Sequence, residues 1–89
     1  MGLMGQEFEL LVGPEYLEHA KSITVTMEQR KWRKRYTTEE GTVSTCKSEG
    51  IIFVTPRGQT PGGSLRVRVS ILNESGARLD SDLVTLVRD

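Results

Sequence analysis

Leu65-Arg-Val-Arg-Val-Ser-Ile-Leu-Asn73, followed by Glu74-Ser-Gly76 and Ala77-Arg-Leu-Asp-Ser-Asp-Leu83, decides how this chain folds. Apolar residues alternate with polar ones on both sides of a turn, the pattern of two half-buried strands. Closed as a three-residue loop with Gly76 left-handed, the hairpin pairs Asn73 with Ala77, Ile71 with Leu79, Val69 with Ser81 and Val67 with Leu83. The other face then pairs Ser70 with Asp80 and Arg68 with Asp82. Apolar meets apolar inside and cation meets anion outside, each such pair contributing about 0.2–1 kcal/mol. A loop longer or shorter by one residue sets Val69 or Ile71 against an aspartate. The residues themselves therefore dictate the register.

Beyond this hairpin, Leu83-Val-Thr-Leu-Val87 is apolar on both parities, as expected of a strand covered on both faces by a second layer. Upstream, Ile51-Ile-Phe-Val54 reads as another strand. The residues between, Thr55 to Ser64, form a Pro- and Gly-rich connection long enough to serve as a binding loop. A second turn of the same kind, Glu39-Glu40-Gly41, predicts a hairpin pairing Tyr36 with Ser44, Arg35 with Thr45 and Lys34 with Cys46. Trp32, Tyr36 and Cys46 would then share one face.

Nearer the amino terminus, Phe8, Leu10 and Val12 alternate with Glu7, Glu9 and Leu11 and predict a short strand stopped by Gly13-Pro14. Pro14 suits the first turn of a helix, and residues 15–21 supply two turns. Ile23-Thr-Val-Thr26 is β-branched throughout and favours a strand. Ile23, Val25 and Met27 share a face, but Trp32 and Tyr36 fall on the opposite parity. Either one face of a long strand changes from apolar to basic, or a bulge near Glu28–Lys31 shifts the phase, and the bulge is favoured. The expected fold is mainly β: one domain spanning residues 1–89, a small sandwich or partly open barrel of five to seven strands with at most one short N-terminal helix.

At 89 residues, such a chain buries only about 60% of its unfolded surface, so its core is modest. The one cysteine, Cys46, excludes an internal disulfide. No apolar run is long enough to span a membrane, and the first residues lack the pattern of a signal peptide. The expected location is cytoplasmic or virion-associated.

Catalytic chemistry has little to work with. His19 and Cys46 are the only residues of their kinds, and no spacing brings them together. No Gly-x-Ser-x-Gly elbow occurs. Glu15 and His19 stand four apart, yet two ligands are too few for a metal site. Pro61-Gly-Gly-Ser64 lacks the Gly-Lys-Ser/Thr ending of a phosphate loop. The expectation is a non-enzymatic protein with no metal, no cofactor and no small-molecule substrate.

One concentrated signal remains. Of the chain's 12 Lys and Arg residues, Arg30, Lys31, Arg33, Lys34 and Arg35 fall together around Trp32 and before Tyr36, on a protein of zero formal net charge. Cations beside aromatics suit phosphates and stacked bases, and they equally suit an acidic protein partner. Residues 1–20 carry Glu7, Glu9, Glu15 and Glu18 without a Lys or Arg, so the acidic segment of one copy can meet the basic run of another.

The arginine-rich stretch and Asn73-Glu-Ser-Gly76 loosely resemble the motif of PilZ domains, small β-barrels that bind cyclic di-GMP. That motif has two arginines four apart and then Asp/Asn-x-Ser-x-x-Gly. Here Arg30 is followed at that spacing by Lys34, and Gly76 directly follows Ser75, so the pattern is not met and no family is assigned.

The sequence thus favours an interaction or assembly module, such as a small structural subunit of a virion, with a protein partner or further copies of itself. Its candidate assembly contact is Phe8, Leu10 and Val12. The alternative is a nucleic-acid-binding protein using residues 30–36.

Overall fold

The computed structural model describes the backbone of residues 3–4 and 7–88 and the side chains of residues 7–81. Its elements are β1 (Leu3–Met4), β2 (Phe8–Leu11), α1 (Pro14–Leu17), β3 (Ala20–Gln29), β4 (Trp32–Thr37), β5 (Val43–Cys46), β6 (Ile51–Val54), β7 (Gln59–Thr60), β8 (Gly63–Asn73) and β9 (Arg78–Arg88). One antiparallel sheet runs β4-β3-β8-β9 and the other β2-β6-β5, while β1 and β7 form a two-residue ladder. The protein is a small, mainly β sandwich, and neither sheet closes into a barrel.

The core lies where the inward parities of the two sheets meet. Val25, Met27, Ile52, Val54, Leu65, Val67 and Val69 are essentially removed from solvent, and Phe8, Leu10, Ile23, Tyr36, Val43 and Ile71 are buried beside them. Alternation of β-branched and polar residues produces this division directly, since successive side chains leave a strand on opposite faces.

The C-terminal hairpin has the register its residues dictate: Ile71 faces Leu79, Ser70 faces Asp80, Val69 faces Ser81, Arg68 faces Asp82 and Val67 faces Leu83. The Asn73 N–H donates to Ala77 O at 2.8 Å, the Gly76 N–H donates to Asn73 O at 2.9 Å, and Gly76 has φ 92°. Gly76→Val is expected to lower stability by about 1 kcal/mol or more, because a β-branched residue fits positive φ badly. A urea titration showing no change in midpoint would contradict this turn assignment.

Farther along, the ladder shifts by one residue, so that Leu65 faces Leu86. Residues of both parities in β9 thereby stand opposite core residues of β8. This offset gives the two-parity apolar pattern of residues 83–87 a reason other than a covering layer; cover over those side chains lies outside the described residues.

Three expectations require correction. The helix is one turn rather than two: Leu17 is buried, and β3 already begins at Ala20. No bulge joins β3 to β4. A two-residue loop, Arg30-Lys31, reverses the chain, with Gln29 facing Trp32, Met27 facing Lys34 and Val25 facing Tyr36. Tyr36 thus shares the face of Val25 through a reversal of direction, not through a change of phase.

The predicted β4–β5 hairpin is also absent, for β5 pairs with β6 in the other sheet. Gly41 does adopt positive φ, at 82°. However, threonine hydroxyls take the bonds that a continued ladder would use. Thr42 Oγ1 accepts the Thr37 N–H at 3.1 Å and donates to Glu40 Oε1 at 2.7 Å. The Thr55 N–H donates to Thr42 O at 2.8 Å, drawing the chain toward β6.

Candidate functional site

The basic run does not form one surface. Arg30 and Lys31 occupy the tip of the β3–β4 hairpin, and Arg30 has φ 52°, a left-handed conformation more usual for Gly or Asn. Arg33 and Arg35 are exposed and stand opposite Glu28 and Thr26, on the outer face of the sheet. Trp32, Lys34 and Tyr36 take the inner parity. Trp32 is half-buried and packs on the core, Lys34 remains exposed, and Tyr36 is buried. The sequence grouped these residues by proximity along the chain, whereas the pleat of β4 distributes them between two faces.

Burial, and then the negative charge of Glu40, holds the Tyr36 hydroxyl above the usual tyrosine pKa of about 10. The unfolded chain therefore loses this proton first as pH rises. Stability from this group is complete below pH 10 and is lost as pH climbs toward the folded-state value. Urea midpoints should be lower at pH 11 than at pH 9, and Tyr36→Phe should reduce that difference.

On the outer face, Arg33 is joined by arginines that sequence separation concealed. Glu28 of β3 faces Arg33 on one side and Arg66 on the other, and Thr26 lies between Arg35 and Arg68. A depression of about 70 Å³ is lined by Thr26, Glu28, Arg33, Arg66 and Arg68. Arg66 reaches Glu28 at 3.5 Å, an exposed pair of small energetic weight. The period-2 spacing of Arg66 and Arg68 was visible in the sequence; their adjacency to Arg33 and Arg35 depends on β3 lying between the two strands.

The segment proposed for assembly is also divided. Phe8 and Leu10 face inward and are buried in the chain's own core, and Val12 packs against it. What β2 leaves outside is Leu11, 76% exposed, with exposed Glu7 and Glu9. Leu11, Tyr16 and Leu79 are the large hydrophobic residues most exposed among those described. All three line a single groove of about 280 Å³, floored by Val69 and Ile71. It opens beside β2, the last strand of the three-stranded sheet, and beside the β8–β9 hairpin.

The 55–64 connection is held at several points. Pro56 and Thr60 are buried, Gln29 Nε2 donates to Gly62 O at 2.7 Å and Ser64 O at 3.0 Å, and Arg57 donates to Glu40 O at 2.9 Å. His19 Nε2 lies 4.0 Å from Glu18, and Cys46 Sγ is 3.4 Å from Glu49 and 3.6 Å from Ser48. Each of these two residues has its own neighbours. Among the described residues, no three His, Cys, Asp or Glu side chains gather as metal ligands, and no helix is long and apolar enough to cross a membrane.

Gly50 carried no recognisable signal in the sequence. It has φ 70°, and its carbonyl accepts the N–H groups of Val12 at 2.9 Å and Gly13 at 3.0 Å, fixing the exit of β2 against the start of β6. Comparison with protein-family models, curated proteins and solved structures finds no match to this chain.

Proposed function

We propose that this protein is a non-enzymatic interaction and assembly module that works by its surfaces, as a small structural subunit of a larger particle such as a virion. What carries the reading is the convergence of Leu11, Tyr16 and Leu79 on one groove of about 280 Å³. Scattered exposed apolar residues are ordinary, whereas their grouping marks a surface that a partner covers. The partner is a protein, either another copy or a different chain, in the cytoplasm or within the particle. Multi-angle light scattering of the purified protein, with the 260/280 nm absorbance ratio of the same peak, tests the reading. The expected result is a mass above that of one chain and a protein-like ratio.

A second reading, nucleic-acid binding, is favoured by Arg33, Arg66 and Arg68 around one depression and by the left-handed Arg30 at the adjoining hairpin tip. Its aromatic component is weaker, because Tyr36 is buried and Trp32 packs on the core. Filter binding at increasing salt separates the two readings. A salt slope that flattens in Arg33→Ser/Arg35→Ser would favour nucleic acid, whereas no retention at low salt eliminates it.

A further inference from the structure

The four-stranded sheet ends in two strands of opposite character. β4 presents Arg33 and Arg35 on the outer face, and β9 presents Asp80 on that face, with Asp82 across from Arg68 in the register. Each of these strands pairs with only one neighbour among the described residues. From these edges we infer that copies of this chain join head to tail, β9 of one copy pairing antiparallel with β4 of the next, with Asp80 opposite Arg35 and Asp82 opposite Arg33. The inference rests on the assembly reading above and names its partner as a second copy.

Two independent alternations select this register. The first is the backbone. In an antiparallel strand, successive residues direct their N–H and C=O alternately to one side and the other. The Thr38 N–H donates to Ile23 O, and the Thr37 N–H and C=O both go to Thr42, away from β3. Alternation then turns the Arg33 and Arg35 backbone groups outward as well. In β9, Ala77 O accepts from Asn73, so Ala77, Leu79 and Ser81 bond to β8 while the Asp80 and Asp82 groups face outward. Outward backbone groups thus belong on one edge to Arg33, Arg35 and Thr37, the last already bonded to Thr42, and on the other edge to Arg78, Asp80 and Asp82.

The second alternation is the side chains. With Asp80 opposite Arg35 and Asp82 opposite Arg33, Tyr36 falls opposite Leu79 and Lys34 opposite Ser81. Apolar meets apolar on the inner parity, and the exposed Lys34 meets a hydroxyl. Lys34 would penalise a strand offering an apolar residue at that point, which favours this register over others. The direction also fits, because four antiparallel strands leave β9 running opposite to the β4 of a translated copy.

Within one chain Arg35, Thr26, Arg68 and Asp82 lie in one row. Pairing Arg35 with Asp80 therefore slips each junction by two residues, about 7 Å. Two different edges make a heterologous contact, which closes into a ring or extends as a filament.

Asp80 and Arg35 face uncharged Ser70 and Thr26 within their own chain, so either charge can be reversed without creating a like-charge pair across the ladder. Sedimentation velocity at low salt on Asp80→Arg, on Arg35→Asp and on their equimolar mixture tests the pairing. Each variant alone should associate about tenfold more weakly than the natural chain, and the mixture should regain its association. Asp80→Asn and Arg35→Gln, which only remove charge, should each weaken association less, and their mixture, in which Asp80 of one variant can still meet Arg35 of the other, should regain part of it. If the natural chain associates and the reversed variants do so equally well, the edge pairing is overturned and the assembly reading stands. If the natural chain remains monomeric at millimolar concentration, self-assembly falls and this pairing falls with it.

Discussion

Gly50→Ala is expected to be among the most damaging single changes in the chain, removing about 2–5 kcal/mol before any lost hydrogen bond is counted. Its φ of 70° suits glycine, and a Cβ at that position would collide with the backbone of Gly13 and Pro14. Backbone cannot swing aside as a side chain can. A left-handed alanine costs about 1–2 kcal/mol, and overpacking commonly adds about 1–3 kcal/mol. Moving either segment also stretches the bonds from Val12 and Gly13 to Gly50 O. At about 0.05–0.15 kcal/mol per residue, the whole chain has only about 4–13 kcal/mol to lose. Gly41 provides the control, since it has φ 82° with open space around it; Gly41→Ala should cost only about 1 kcal/mol. Urea denaturation followed by circular dichroism would check the pair, and equal losses would show that close approach at Gly50 is not the cause.

Leu17→Ala should be the next most damaging change, at about 2–5 kcal/mol. Helix α1 is four residues long and has no side-chain hydrogen bond capping its N-terminus. A single turn of helix is not stable by itself, so its position depends on what it buries. Leu17 has no exposed surface and belongs to the core that joins the sheets. Removing three carbons leaves a cavity beneath the link from β2 to β3. Thermal melts should show a large fall in midpoint for Leu17→Ala and little change for Tyr16→Ala, whose side chain lies in the open groove.

The contrast between the two glutamate-glycine turns explains what the sequence made legible. In Glu74-Ser75-Gly76 the flanking residues carry a strict alternation, and a shifted register would bury an aspartate; local chemistry therefore determined a long stretch of pairing. Glu39-Glu40-Gly41 has the same turn chemistry, but Thr37, Thr38 and Thr42 flank it. Their hydroxyls compete for backbone bonds, and whether they prevail depends on β6 waiting in the other sheet. Arg30-Lys31 is illegible for the opposite reason: neither residue announces a turn, and tertiary pairing of β3 with β4 holds Arg30 in a conformation it would not choose. The candidate surfaces followed the same division. Residues 30–36 were visible as a charge run, but their separation into two faces, and the arrival of Arg66 and Arg68 beside Arg33, required the sheet order.

Amide hydrogen exchange, measured by NMR on the natural chain at micromolar and millimolar concentrations, tests assembly through the sheet edges most directly. The N–H groups of Arg33, Arg35, Asp80 and Asp82 face away from their own ladders and should exchange quickly in dilute solution. Concentration should slow these four, while Val67 and Val25, already inside the sheet, change little. Exchange at the two edges that is equally fast at both concentrations would contradict the account.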